Sequence, residues 1–410
     1  MVNMPSIESH NWKRNVGYFL ASQNFFLFGS SSVYFAVLWY IALKTSSGTW
    51  IMLATMATTL PQILISLWAG IWSDQYSRKK LIIASSSLVT LLTVGTAIIY
   101  FFFSRDLWLL LLIAAIRSLG SGIQTPAGNA LLPEITPKKE LSRINGLNQF
   151  ISSILLLISP ILSGFILGRL GIMFVFVVDL ITATTGIILM SRVQASQQDQ
   201  QPHEQVTGLS GIRDGLQYTF SHRYLRNFML FTLIAFILVA PSSQLSTLFV
   251  KRTFGSAVWR LTLNELLWTM GALLGSFYIT MQKRLPHKIK LIAVGFVGSG
   301  ISFAVMGLPE PFWVYLLFMF FSGICMPIIQ ATSNILIQEN VAKEKMGRVF
   351  SILQIVSTGI YPIAMLVYGP LADQVSIRYI LIVTGVLLIL VGCIFQQRLT
   401  RLSGYLKDLN

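Results

Sequence analysis

Charged residues are scarce in this chain, since Asp, Glu, Lys and Arg make up only 11% of its 410 residues. Soluble proteins of average composition carry about 25%, so the scarcity excludes an ordinary soluble fold with its surface in water. Among the charged residues, the 15 acidic ones are outnumbered by the 30 basic ones, so the formal net charge is +15. In a soluble protein such a charge would suggest nucleic-acid binding. Here the basic residues sit in short loops between apolar runs, so we expect no nucleic-acid partner.

Metal-binding and nucleophilic residues are also few, with two cysteines and four histidines in the whole chain. Cys325 and Cys393 lie inside apolar runs at a spacing that excludes a metal site, and we interpret them as packing residues. The absence of a G-x-x-x-x-G-K-[ST] loop excludes a built-in ATPase of that type. No serine, cysteine or zinc constellation suggests an enzyme. We therefore expect no enzymatic activity, no cofactor and no metal.

Apolar sequence, by contrast, is abundant, and 54% of the residues are hydrophobic. Runs of about 20 apolar residues recur along the chain, and a helix of that length crosses about 30 Å of hydrocarbon. This pattern predicts an all-α integral membrane protein with about twelve transmembrane helices, rather than the two or three soluble domains that the length would allow. Clear examples are residues 16–43, 50–72, 81–103, 107–131 and 381–395 with its flanks.

The predicted spans form two groups of about six. Residues 193–208 between the groups are rich in Gln and Ser, which is typical of a flexible linker. The following segment has Leu209, Ile212, Leu216 and Phe220 at helical spacing, which favours a helix on the membrane surface. We predict a six-helix N-terminal half at 1–192, a cytoplasmic linker with a surface helix at 193–222 and a six-helix C-terminal half at 223–410.

Basic residues cluster in alternate loops between the spans. Because Lys and Arg are enriched in cytoplasmic loops, we predict that these loops are internal and that both termini are cytoplasmic. The remaining loops hold only scattered cases such as Lys44, Arg105 and Arg169. The predicted internal set comprises Arg78, Lys79, Lys80, Lys138, Lys139, Arg143, Arg192, Arg213, Arg223, Arg226, Lys283, Arg284, Lys288, Lys290, Lys343, Lys345 and Arg348.

An internal repeat relates the two halves. Residues 131–153 align with 336–358 at a constant offset of 205 positions, which also pairs Asn129 with Asn334. An even number of spans per copy makes the copies parallel, and transporters built this way bind substrate between the halves near the bilayer midplane. We interpret the repeated amides as interhelical hydrogen bonds, with substrate contacts as the alternative. The other pairs are Glu134 with Glu339, Lys138 with Lys343, Arg143 with Arg348, Gln149 with Gln354, Ser152 with Ser357 and Gly164 with Gly369.

The loop at residues 70–80 reads GIWSDQYSRKK and resembles the signature loop of the major facilitator superfamily. Gly70 would let two helices approach closely, and Asp74 could pair across a moving interface with the basic residues beside it. Ordinary topology explains the basic residues but neither Gly70 nor Asp74. In the second half Gly275 keeps its place, while Ile279 replaces the Asp. The predicted gating residues are Gly70, Asp74, Arg78, Lys79, Arg143 and Arg348.

The chain is also similar to the macrolide efflux proteins of that superfamily over most of its length. The resemblance implies the major facilitator fold, a multi-pass protein of the bacterial plasma membrane and proton-coupled export of amphiphilic drugs, macrolides among them. It implies a monomer whose partners are a small amphiphilic substrate, protons and the lipid bilayer. The matching segments are NWKRN, DQYSRKKLII, IRSLGSGIQTPAGNALLPEI, the LISP element at 157–160, NELLWTMGALLGS and KMGRVFSI.

Charged residues inside the spans are candidates for the coupling site because burying a charge there is costly. Arg117 shares one helical face with Ser121, Gln124 and Gly128, so a polar stripe is predicted to point into the bundle. The resemblance implies that Arg117 is the family's fourth-span Arg, which is linked to proton coupling. The alternative is a structural Arg that is bonded to backbone carbonyls.

Two carboxylates complete the predicted coupling and substrate site, Asp179 in the sixth span and Glu265 in the eighth. A carboxylate at such a depth can bind a proton or a cationic drug, but not both at once, which is the logic of antiport. Asp179 could instead be a structural partner of Arg117 or be capped by hydroxyls, and Glu265 could be neutralised by Arg260. On the same fold the alternative functions are export of a siderophore, lipid or other metabolite, and beyond these a channel or a transport-inactive sensor.

Overall fold

The described part of the computed structural model consists of helices joined by short loops. It comprises residues 12–137, 139–194, 216–282, 287–308, 311–341 and 343–407. The helices of the first half are α1 (Trp12–Thr45), α2 (Gly48–Gln75), α3 (Arg78–Phe102), α4 (Leu107–Ile135), α5 (Leu141–Arg169) and α6 (Ile172–Ser191).

The second half is also helical and contains one π-helical turn, which lies in the eleventh of the twelve predicted spans. They are α7 (Arg223–Gln244), α8 (Ser246–Phe254), α9 (Val258–Met281), α10 (Lys288–Met306), α11 (Phe312–Asn340), α12 (Lys343–Gln354), the π-helical turn (Ile355–Gly359), α13 (Ile360–Gln374) and α14 (Ile377–Lys407).

Eleven helices in the described ranges are long and apolar enough to cross a membrane. Helix α9 is not among them, although its 24 residues span about 36 Å. The reason is its polar content, because Arg260, Asn264 and Glu265 fall within its first eight residues. The predicted all-α, multi-pass membrane architecture is confirmed, and α9 is the helix that would make the twelfth span.

Helix boundaries follow local sequence signals. Asp106 precedes α4, and its carboxylate accepts a hydrogen bond from the backbone N–H of Trp108 at 3.2 Å, which satisfies one of the free amides at the helix start. Gly171 before α6 and Gly255 after α8 have φ values of 87° and 106°. These left-handed conformations favour glycine, and each one ends a helical segment so that the next can start in a new direction.

The chain divides into two compact units, the first formed by 1–41 and 56–204 and the second by 42–55 and 205–410. The turn between α1 and α2 therefore belongs to the second unit. Most of the predicted linker, including Leu209 and Ile212, lies outside the described residues. Leu216 and Phe220 lie in a short described helical stretch, where they are 42% and 45% exposed.

Each unit has its own core. In the first unit, Phe19 of α1, Ile82 of α3, Leu131 of α4 and Met190 of α6 are buried in one cluster. In the second unit, glycines bring helices close together: a Cβ on Gly271 of α9 would lie 3.1 Å from the Cα of Gly323 in α11. Such small-residue contacts are typical of packed membrane helices.

Candidate functional site

The buried centre of the first unit is an ion pair between α4 and α6. The two terminal nitrogens of the Arg117 guanidinium, Nη1 and Nη2, donate to the two carboxylate oxygens of Asp179 at 2.6 and 2.8 Å. The side chains are only 12% and 4% exposed. The two residues are 62 positions apart in sequence, and their bidentate geometry is the strongest kind of hydrogen-bonded pair.

Helix α1 completes this centre. Ser30 accepts a hydrogen bond from Arg117 Nη2 at 3.0 Å. Next to it, Gly29 faces the carboxylate so closely that a Cβ there would lie 2.7 Å from Asp179 Oδ1 and closer still to Thr182 Oγ1. The Thr182 hydroxyl donates to the backbone carbonyl of Asp179 at 2.9 Å. Helix α1 is therefore in direct contact with both members of the ion pair.

The ion pair bears on the interpretations of Arg117 and Asp179 that the sequence left open. Arg117 donates to the carboxylate of Asp179 and to the hydroxyl of Ser30 rather than to backbone carbonyls. Asp179 is paired with Arg117, as its structural interpretation expected. The pair therefore links α1, α4 and α6, and its part in proton coupling stays a prediction.

The rest of the predicted stripe on α4 points to neighbouring helices of the same unit. Gln124 donates to the hydroxyl of Ser86 in α3 at 3.0 Å. Gly128 packs against Gln23 of α1, whose Nε2 atom is buried without a hydrogen-bond partner among the described residues. Gln124 thus links α4 to α3. Gln23 is a buried polar residue of this region that the sequence analysis did not identify.

Glu265 lies in the second unit, partly buried in α9. The neighbouring Asn264 is fully buried and accepts a hydrogen bond from the hydroxyl of Tyr315 in α11 at 2.7 Å. No ion pair to Glu265 occurs within the described ranges. Arg260 is not its partner: the guanidinium lies 5.1 Å from the Trp259 ring centre and 5.9 Å from that of Phe312.

The predicted gating loop is described in part. Arg78 donates to Glu134 Oε2 at 3.3 Å and to the carbonyl of Ala130 at 3.0 Å, so the start of α3 is fastened to the end of α4. Lys79 donates to the carbonyl of Ser191 at 2.7 Å. The surroundings of Gly70 and the side chains of Asp74 and Arg348 lie outside the described part. The Arg143 side chain is 84% exposed, and its Nη1 lies 3.8 Å from Oε2 of Glu140, the residue just before α5.

The ion pair of Arg78 has a counterpart in the second unit. Glu339, which the internal repeat matches with Glu134, forms an ion pair with Lys288 at the start of α10, with Oε2 and Nζ 3.0 Å apart. Each carboxylate lies one residue before the end of its helix. The repeat therefore extends from sequence to contacts, with a basic residue at one helix start fastened to an acidic residue at a helix end in both units.

The second unit also contains a polar network that the sequence analysis did not single out. Asp373 accepts hydrogen bonds from the backbone N–H groups of Gly48 and Thr49 at 2.6 and 3.0 Å, at the start of α2. The Ser47 hydroxyl and Arg252 donate to the same carboxylate at 2.7 and 2.9 Å. Asp373 lies outside the repeated segments, so no pattern in the sequence pointed to it.

Comparison of the sequence and the fold with those of known proteins supports the same architecture. The sequence model of the Major Facilitator Superfamily matches residues 19–365. The chain belongs to the major facilitator superfamily. The two related units, the parallel repeat and the loop at 70–80 are thus features of a transporter of this superfamily, and the predicted fold is confirmed.

Several proteins with similar sequences are named as efflux proteins. It is 22% identical to Macrolide efflux protein A of Streptococcus pyogenes over 392 residues, which cover 94% of this chain and 96% of that protein. It is 23% identical to the multidrug efflux pump Tap of Mycobacterium tuberculosis, with 83% of each chain covered. The crystal structure of the nucleoside transporter NupG matches the fold with a TM-score of 0.75 at 13% identity, covering 94% of this chain and 99% of NupG.

Proposed function

We propose that this transporter exports amphiphilic drugs, macrolides among them, in exchange for protons, from a bacterial plasma membrane in which both termini are cytoplasmic. Two relatives that cover most of the chain carry the names of a macrolide efflux protein and a multidrug efflux pump. The observation that carries the proposal is the distribution of intramembrane carboxylates. One lies in each unit: Asp179 has a cationic partner, whereas Glu265 has no ion pair within the described residues.

This difference suggests different roles for the two carboxylates. Because Glu265 has no ion pair among the described residues, it can take up either a proton or the cationic group of a substrate, and the two compete for the same oxygens. A ligand shifts a conformational equilibrium only by its differential affinity for the two states. Competition at Glu265 therefore couples the inward movement of a proton to the outward movement of a drug.

Asp179 acts on the conformation rather than on the drug. Protonation of its carboxyl would remove the partner of Arg117, whose guanidinium also contacts Ser30 of α1. A buried charge that loses its partner is strongly destabilised, so Arg117 would move and α1 would lose a fixed point. The ion pair thus provides two discrete arrangements of the first unit that depend on one proton.

The test measures drug accumulation in everted vesicles with an imposed pH gradient. We expect Glu265→Gln to abolish uphill transport while downhill exchange persists, because the neutral amide cannot exchange a proton. The matched control is Glu140→Gln, the same substitution just before the start of α5, on the predicted cytoplasmic side. Vesicles with the control should accumulate drug as wild type does.

A second variant tests the ion pair without leaving a buried charge alone. Arg117→Gln combined with Asp179→Asn removes both charges, and we expect reduced uphill transport with normal membrane insertion. If this double variant and Glu265→Gln both concentrate drug as wild type does, the carboxylates are structural and coupling lies elsewhere. Normal coupling with a different cargo would favour the alternative of siderophore, lipid or metabolite export.

A further inference from the structure

Helices α3 and α6 lie side by side in the first unit and run in opposite directions. Near one end, Lys79 of α3 donates to the backbone carbonyl of Ser191 in α6 at 2.7 Å. Near the other end, the ring centres of Phe101 and Phe176 lie 6.3 Å apart. The backbone of α3 rises by about 33 Å from Lys79 to Phe101, which matches the thickness of the hydrocarbon core of a bilayer. The groove between the two helices, the α3/α6 groove, is therefore long enough to cross the membrane.

The outer face of this helix pair is exposed and largely apolar. The inner face is covered, because Ile82 of α3 and Met190 of α6 are buried in the core cluster of the first unit. On the opposite side, exposed residues of each helix recur every three or four positions and so form one stripe. Two such stripes on either side of one groove suit the acyl chains of a lipid. The α3 stripe comprises Ala84, Leu88, Leu91, Gly95, Ile98 and Phe102, and the α6 stripe comprises Phe174, Val177, Ile181, Thr184 and Ile188.

Three cations lie at one end of the α3/α6 groove. Lys80 shares the helical face of the α3 stripe, Arg192 shares that of the α6 stripe, and both side chains are exposed. The ammonium group of Lys79 lies beside Arg192, because it donates to the carbonyl of the preceding residue, Ser191. None of the ion pairs in the described part of the chain includes any of the three cations. Their charges are therefore available to an anion at the end of an apolar groove.

The position of these cations matches the headgroup region of a bilayer. They lie at helix ends that are predicted to be cytoplasmic, the side on which basic segments attract anionic phospholipids. The start of α3 adds to this attraction, because the N-cap residue Ser77 makes no side-chain hydrogen bond to the helix. Backbone N–H groups at a helix start favour a bound phosphate. A zwitterionic headgroup carries its own ammonium group, so a headgroup with a net negative charge suits three cations better.

We propose that the α3/α6 groove binds one anionic phospholipid, with its phosphodiester on Lys79, Lys80 and Arg192 and its acyl chains along the two stripes. The lipid holds the start of α3 against the end of α6. This site is independent of the proposed transport function, because it lies on the outer face of the two helices, whereas Asp179 of α6 is buried on the inner face.

The experiment measures lipid binding at the groove with a fluorophore. In the purified full-length protein without its two natural cysteines, Leu88→Cys carries a bimane label. The protein is reconstituted in phosphatidylcholine with a rising fraction of phosphatidylglycerol, and one of the two lipids carries brominated acyl chains that quench the label on contact. Quenching as a function of composition gives the ratio of the two binding constants at the groove. We expect this ratio to favour phosphatidylglycerol.

Removal of one of the proposed phosphate ligands should lower the preference. We expect a loss of about fivefold in Lys80→Gln and again in Arg192→Gln, the effect of one basic residue at an anionic lipid surface. Lys80→Arg keeps the charge and should keep the preference. The matched control is Lys139→Gln, which removes an exposed charge from a loop that is predicted to lie on the same side of the membrane. The control should bind both lipids as the parent protein does.

A second label position separates a local site from a general preference of the protein surface. Ile363 in α13 is 57% exposed, as Leu88 is, and a label on Ile363→Cys should report equal binding of the two lipids. The proposal is overturned if position 88 shows no preference for phosphatidylglycerol or if position 363 shows the same preference. It is also overturned if Lys80→Gln and Arg192→Gln leave the preference at position 88 intact.

Discussion

A methyl group at position 29 should disturb the buried ion pair without touching either of its charges. In Gly29→Ala the new Cβ would lie 2.7 Å from Asp179 Oδ1 and even closer to Thr182 Oγ1. Real Cβ atoms essentially never approach an oxygen so closely. Either α1 moves away from α6, or the carboxylate turns away from Arg117.

The size of the effect follows from three opposing contributions. Alanine is favoured over glycine in a helix interior by about 1 kcal/mol. Overpacking a close contact costs about 1–3 kcal/mol, and breaking a buried ion pair costs about 3–5 kcal/mol. If only α1 moves, the net change is about 0–2 kcal/mol. If the carboxylate turns away from Arg117, the net loss is about 2–4 kcal/mol, and uphill transport should fall with it.

The chain offers a close control for this measurement. Gly17 lies on the same helix, and nothing lies within 4 Å of a Cβ built there. Gly17→Ala should therefore be neutral or slightly stabilising. The assay is denaturant unfolding in detergent micelles, combined with transport in everted vesicles. If Gly29→Ala unfolds and transports as Gly17→Ala does, the contact between α1 and the ion pair does not exist in the working protein.

Two further predictions concern other parts of the chain. Asp373→Asn should speed hydrogen exchange of the amides at residues 48 and 49, because hydrogen bonds to a charged acceptor contribute about 1.5–3 kcal/mol, less where water reaches them; unchanged exchange would show that the carboxylate does not hold the start of α2. In a variant without the two natural cysteines, an impermeant thiol reagent added to intact cells should label Arg105→Cys but not Lys79→Cys, and labelling at position 79 would reverse the predicted orientation.

The sequence by itself determined the class of protein. Spans of about 20 apolar residues can satisfy their backbone in lipid only as helices or closed barrels, so the helical architecture followed from composition and length. The constant offset between Glu134 and Glu339 indicated two related halves. The family also followed from sequence, because the motif at 70–80 is local and needs no partner to be recognised.

Partners of the intramembrane charges, in contrast, depended on the tertiary structure. Arg117 and Asp179 are 62 residues apart, and helical periodicity shows which face a residue occupies but not which other helix that face meets. The same holds for Arg78 with Glu134 and for Asp373 with the start of α2, contacts between helices that no local pattern specifies.

Arg260 and Glu265 show the converse case, in which closeness in sequence does not make a pair. Five residues turn an α-helix by about 140° from a common face, so the two side chains point in different directions. Arg260 accordingly lies against Trp259 and Phe312, and Glu265 has no ion pair among the described residues. Helix geometry and packing therefore decided which of the described intramembrane charges are paired and which are not.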